Sequence, residues 1–104
     1  MKIKMHAVHF HARQSLIAFL EQQVEKLSSL GQPVVDSEVF LLVGNDAAHA
    51  KTVEITLHLP GSRLFASESA PTFEAATRVA ISALKSQLRR LKTRIKAIRK
   101  NARM

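Results

Sequence analysis

The chain has 104 residues, 46% apolar and 23% charged, with three Gly, three Pro and five Phe, which indicates one domain with a modest core. Sixteen Lys+Arg against eight Asp+Glu give a formal charge of +8 and a pI of about 10.7, a balance suited to polyanionic partners. The absence of cysteine excludes a disulfide framework, a thiol nucleophile and a cysteine-based zinc site. No run of about 18 apolar residues is available to span a membrane. The opening Met1-Lys2-Ile3-Lys4-Met5-His6 lacks the apolar stretch of a secretory signal, so a cytoplasmic protein without a membrane partner is expected.

Residues 2 to 10 alternate Ile3, Met5 and Ala7 against Lys2, Lys4 and His6, the period of a half-buried first strand. From about 13 to 30, Leu16, Leu20, Val24, Leu27 and Leu30 recur at steps of four and three, flanked by Ile17 and Phe19, until Gly31 and Pro33 stop the pattern. This predicts an amphipathic helix with a poorly defined start, because Ala12 and Arg13 offer no good cap. Residues 34 to 43 are rich in β-branched and aliphatic side chains, with Asp36 and Glu38 alternating outward, and Gly44-Asn45-Asp46 ends them. Residues 51 to 59 alternate cleanly, with Val53, Ile55, Leu57 and Leu59 on one side and Thr52, Glu54, Thr56 and His58 on the other. Pro60-Gly61-Ser62 turns the chain into a strand over 63 to 70. Thr72 is then a helix N-cap with Glu74 in the first turn, and Phe73, Ala76, Ala80, Leu84, Leu88, Leu91, Ile95 and Ile98 form an uninterrupted apolar ladder. A helix over 73 to 100 is about 42 Å long and overhangs a domain whose radius of gyration is about 13 Å.

The order β-α-β-β-β-α predicts an α+β two-layer sandwich, a four-stranded sheet with two helices packed on one face, comparable to the double-stranded RNA-binding domain. Residues 1 to 100 form the single domain in this reading, and 101 to 104 a basic C-terminal tail.

Charge is divided unevenly along this framework. Residues 1 to 74 carry six bases and all eight acids, whereas 75 to 104 carry ten bases and no acid. A solvated helix face ordinarily interleaves Glu with Lys, because opposite charges at i and i+4 stabilise and like charges repel. A face of one sign therefore implies an external counter-charge. Lys85, Arg89, Lys92, Lys96, Arg99 and Arg103 advance by four and three along one stripe; Arg78 continues it backward, and Arg90, Arg94 and Lys100 widen it on one flank. Such a stripe can follow phosphates and release their counterions, while nothing in it specifies bases.

Catalysis lacks parts. Ser15, Ser28, Ser29 and Ser37 have no nucleophile-elbow context, and the glycines at 31, 44 and 61 are too scattered to cradle a phosphate. His9 and His11 would share a face of an extended first strand, with His6 nearby, but no carboxylate or cysteine completes a metal set. No catalytic residue, metal, cofactor or small-molecule substrate is expected. Phe40, Leu42 and Phe65 fall on the sheet face away from the helices, either as cross-strand pairs or as a partner or base-stacking patch.

Glu54-Ile55-Thr56-Leu57-His58-Leu59-Pro60-Gly61, Phe73-Glu74-Ala75-Ala76 and Ala83-Leu84-Lys85-Ser86-Gln87-Leu88-Arg89-Arg90-Leu91-Lys92 closely resemble the ribosome hibernation promoting factor family, also called ribosome-associated inhibitor A or sigma-54 modulation proteins. Ile3, His9 and Leu16 through Val24-Glu25-Lys26-Leu27 agree more loosely, and the resemblance spans about 2 to 95. It implies a bacterial stress or stationary-phase protein that binds 16S rRNA of the small (30S) subunit, and the 70S ribosome, in the channel for mRNA and tRNA, inhibiting translation by occupancy. By position, the rRNA contacts it implies are Lys26 on the first helix and Lys85, Arg89, Arg90, Lys92 and Lys96 on the second; charge patterning adds Arg78, Arg94 and Arg99. Gln22 and Gln23 stand where the family often has bases, and the end at Met104 resembles a short form. The competing readings are a free double-stranded RNA-binding module and a protein-interaction domain dimerising through Leu91, Ile95 and Ile98. The neutral to acidic start of the second helix disfavours the first, and its ten bases disfavour self-association, so a monomer off the ribosome is expected.

Overall fold

In a computed structural model, which describes residues 1–30, 33–44 and 50–102 (the side chains of 95–102 excepted), the elements are β1 (Lys2–Ala7), α1 (Gln14–Glu25), a 3-10 turn (Lys26–Ser29), β2 (Asp36–Val43), β3 (Lys51–Leu59), β4 (Ser62–Ala70) and α2 (Phe73–Ala102). The strands form one sheet in the order β1-β2-β3-β4, parallel between β1 and β2 and antiparallel thereafter. The parallel pair follows from the α1 crossover, which returns the chain to the end of the sheet where β1 began. The expected two-layer α+β sandwich is the architecture found.

Alternation decides which face is covered. Ser37, Val39 and Leu41 on β2 and Val53, Ile55, Leu57 and Leu59 on β3 are buried beneath Leu16, Leu20, Val24 and Leu27 of the α1 segment and Phe73, Ala76, Ala80, Ile81, Leu84 and Leu88 of α2. The four- and three-residue steps of each helix turn these side chains toward the sheet. Ser37 is the misfit in this layer, since its Oγ is buried and lacks a hydrogen-bond partner among the described residues. An orphaned hydroxyl retains its desolvation cost, so Ser37→Ala is expected to raise unfolding free energy by about 1 kcal/mol in a urea melt. A loss of stability would show that the hydroxyl is paired.

The first strand is shorter than its alternation predicts. It ends at Ala7, with one further backbone bond from Val8 N to Leu41 O (2.9 Å), because His9 adopts a left-handed backbone conformation with φ 65°. His9 and His11 therefore do not share a strand face, and the described residues contain no group of three His, Cys, Asp or Glu able to hold a metal ion. Left-handed φ penalises a Cβ, most of all a branched one. His9→Val is expected to lose about 1–2 kcal/mol and His9→Gly to lose none, measured as paired thermal melts; equal losses would contradict the strain assignment.

The first helix begins one residue later than its periodicity predicts, at Gln14, after Arg13, whose side chain makes no cap bond. Its last turn is 3-10: Ser28 Oγ donates to Glu25 O (2.7 Å) and Ser29 Oγ to Lys26 O (2.8 Å), claiming carbonyls near the α-helical end. Pro60 and Gly61 (φ 73°) form the two-residue β3–β4 turn with the residue order of type II. Thr72 caps α2 as expected, its Oγ1 accepting from Ala75 N at 3.1 Å. The second helix runs two residues into the expected tail, to Ala102, and Arg103 lies outside the described residues. Past Leu91 its described side chains, Lys92, Thr93 and Arg94, are all exposed. The resulting radius of gyration, 15.3 Å, exceeds the roughly 13 Å of an evenly compact chain this long. No helix of the described residues is long and apolar enough to cross a membrane.

Candidate nucleic-acid interface

Nine of the ten C-terminal bases lie within α2, whose one acid is Glu74 in the first turn. Among the described residues no carboxylate is within ion-pairing distance of Arg78, Lys85, Arg89, Arg90, Lys92 or Arg94. Like charges repeated each turn destabilise a helix by a few tenths of a kcal/mol per pair, and here no acid offsets them. Arg78, Arg89, Arg90, Lys92 and Arg94 are exposed and Lys85 is half-buried. This part of the molecule is a cationic surface, unpaired among the described residues.

The bases do not form a single widened stripe. Arg78, Lys85, Arg89 and Lys92 occupy the shoulder of α2 that faces α1, where the Arg78 guanidinium lies over the Phe19 ring at 5.7 Å. The cation–π contact fixes that side chain at the seam between the helices. Arg90 and Arg94 lie on the opposite shoulder, against β4, where with Ser62, Arg63, Leu64, Gln87 and Leu91 they line a groove of about 460 Å³. The correction follows from helix geometry, since five residues at about 100° each put Arg90 roughly 140° from Lys85, and Arg94 roughly 140° from Arg89. Gln87 Nε2 donates to Phe65 O at 2.9 Å, bonding the helix to the outer edge of the sheet.

Lys26 is exposed in the 3-10 turn and lines a separate hollow with Met1, Ile3, Glu21, Gln22, Glu25 and Ser29. The field there is mixed in sign, so α1 contributes little positive potential and α2 carries the cationic surface. The side chains of Lys96, Arg99 and Lys100 lie outside the described residues, although their backbone continues α2. Arg63 is the base that sequence reasoning did not assign. Alternation sets it with Phe65 on the face away from the helices, and only the meeting of the β4 edge with α2 brings it to Arg90 and Arg94.

The uncovered sheet face is polar and internally satisfied. His6 bonds Glu38 (3.1 Å) and stacks on Phe40 at 4.6 Å, His58 bonds Asp36 (2.5 Å), Thr52 bonds Ser69 (2.7 Å) and Ser67 donates to Glu54 (3.3 Å). Phe40 is thus a cross-strand partner, whereas Phe65 is 51% exposed.

Residues 3–96 match the model of a family described as sigma 54 modulation protein / S30EA ribosomal protein. Among solved structures, the N-terminal domain of Thermus thermophilus Protein Y superposes with a TM-score of 0.76 at 20% identity, covering 88% of this chain and 99% of that one. A ribosomal subunit interface protein from Coxiella burnetii gives a TM-score of 0.77 at 20% identity over 89% of this chain and 99% of that one. No match is found among curated protein sequences. At this identity the two structures establish likeness of fold alone.

Proposed function

Since the chain belongs to the sigma 54 modulation protein / S30EA ribosomal protein family, we propose that it is a ribosome hibernation factor that occupies the mRNA and tRNA channel of the small subunit and blocks translation without catalysing a reaction. The observation that carries this reading is the long helix with nine bases and one acid, in which Arg78, Lys85, Arg89, Arg90, Lys92 and Arg94 have no carboxylate partner among the described residues. Arg78, Lys85, Arg89 and Lys92 would meet 16S rRNA phosphates along one shoulder and Arg90 and Arg94 along the other, with Lys96 and Arg99 continuing the contact. Lys26 has the smallest share, given Glu21 and Glu25 beside it. Residues 1 to 100 act as one ribosome-binding unit, monomeric off the ribosome and cytoplasmic as its partner is. Stress or stationary phase, when ribosomes idle, is the condition in which such occupancy is useful.

The mechanism is physical. Each phosphate neutralised releases condensed counterions, so affinity falls steeply with salt, while the bulk of the domain excludes tRNA and mRNA. A free duplex-RNA module is less favoured because the first turn of α2 holds Glu74 and its first base is Arg78, where such modules address phosphates with lysines. Cell-free translation with and without the protein tests the proposal, a dose-dependent loss of synthesis being expected and undiminished synthesis at stoichiometric excess contradicting it.

A further inference from the structure

We propose that the groove between the β4 edge and α2 is a second phosphate-binding site, built on Arg63, Arg90 and Arg94, so that α2 bridges two separate RNA backbone segments. The inference rests on the ribosome-binding reading and adds to it a residue, Arg63, and a geometry.

The groove differs from the opposite shoulder in kind. It is concave, about 460 Å³, and draws on two elements, with Ser62, Arg63 and Leu64 from β4 and Gln87, Arg90, Leu91 and Arg94 from α2. Among the described residues no carboxylate lines it. Arg63, Arg90 and Arg94 line it together with the polar side chains of Ser62 and Gln87, and Leu64 and Leu91 supply its apolar part. Arginine's planar fork of donors matches the paired oxygens of a phosphate better than lysine's point charge does, and this groove is lined by arginine alone among the bases. The two sides of the site are held in place: Gln87 is bonded to Phe65 O, which fixes α2 against the strand edge, and Arg90 Nε donates to Ser86 O at 3.4 Å, which leaves its terminal nitrogens for a ligand.

Arg89 and Arg90 are only about 100° apart, but the outer members of the two shoulders face different directions. Arg90 and Lys85 lie roughly 140° apart around α2, on opposite sides of a helix about 10 Å across, with the apolar seam of Leu84, Leu88 and Leu91 between them on the sheet side. A backbone lying along the Arg78, Lys85, Arg89 and Lys92 shoulder is therefore out of reach of Arg63. A second segment, folded against the β4 side, fits the arrangement, and rRNA, in which distant strands pack side by side, supplies such pairs.

The test uses the full chain and purified 30S subunits. The absence of cysteine allows single-cysteine variants Ser62→Cys, in the groove, and Ser82→Cys, exposed on α2 near Arg78 and Lys85, each to carry a tethered iron chelate for hydroxyl-radical cleavage of the bound rRNA. The two positions are expected to cut different segments of 16S rRNA. In parallel, Arg63→Glu is expected to weaken binding about tenfold and to lower the salt slope by about one, with Arg63→Lys intermediate. Identical cleavage from both positions, or an Arg63→Glu variant that binds as tightly as the parent while retaining its circular dichroism, overturns the second site and leaves the ribosome reading standing. Failure of the unaltered protein to bind 30S overturns both.

Discussion

Reversing Lys85, Arg89 and Lys92 together to Glu is expected to abolish binding to the small subunit while leaving the domain folded. The three bases lie on the α1-facing shoulder of α2, are exposed or half-buried, and have no carboxylate partner among the described residues. Their loss therefore removes no internal ion pair. Charge-assisted contacts contribute about 1.5–3 kcal/mol each, so losing three weakens binding by roughly a thousandfold or more, before counting the repulsion introduced by three carboxylates. The salt slope of any residual binding falls by about three in the same variant. Co-sedimentation with 30S subunits, alongside circular dichroism, checks both halves of the expectation. Undiminished pelleting would remove this shoulder from the interface.

The opposite outcome is expected from Leu84→Asp or Leu57→Asp, each of which should unfold the protein and lose binding only as a consequence. Leu84 on α2 and Leu57 on β3 are both fully buried, on the two sides of the helix–sheet interface. Truncating a buried leucine costs about 2–5 kcal/mol, and burying an unpaired carboxylate adds several more, against a total stability of about 5–15 kcal/mol for a domain of this size. Far-UV circular dichroism and a thermal melt read the effect directly. A native melting temperature for either variant would contradict the assigned core. The contrast between the two experiments separates residues that hold the fold from residues that hold the partner.

The division between these two classes is visible in the sequence because it follows two simple periods. The alternation of Val53, Ile55, Leu57 and Leu59 and the ladder of Ala76, Ala80, Leu84 and Leu88 record one buried face each, and all eight side chains are buried. A one-residue slip in β3 would turn its whole apolar set to water, so register and pattern cannot disagree. Strand order is not written in this way. That β1 pairs with β2 in parallel depends on how the α1 crossover returns the chain, and alternation is the same for either neighbour.

Local backbone events were less legible. The alternation of Ile3, Met5 and Ala7 lapses at Val8, His9 and Phe10, but nothing in the residue types near His9 requires a left-handed φ, since no glycine marks the break. The 3-10 ending of the first helix has a signal in hindsight, because Ser28 and Ser29 are hydroxyl side chains able to bond carbonyls three residues back.

The candidate interface was legible in charge and partly illegible in shape. Ten bases without an acid over the last thirty residues identify α2 as the cationic element from composition alone. Reading Arg90 and Arg94 as a flank of the stripe of Lys85 and Arg89 does not reveal the groove, because a helical period places residues around one axis and says nothing of which strand edge meets them. Arg63 could not have been found by any period, since Gln87, Arg90 and Arg94, which share its groove, lie over twenty residues away in the chain.

The proposed grip of this domain on the small ribosomal subunit runs through the phosphates of its RNA. Co-sedimentation of the unaltered protein with 30S, 50S and 70S particles at low and at high salt tests it most directly. Binding to 30S and 70S but not to 50S, strong at low salt and lost at high salt, is the predicted result. Equal association with 50S, or binding that is indifferent to salt, would contradict it.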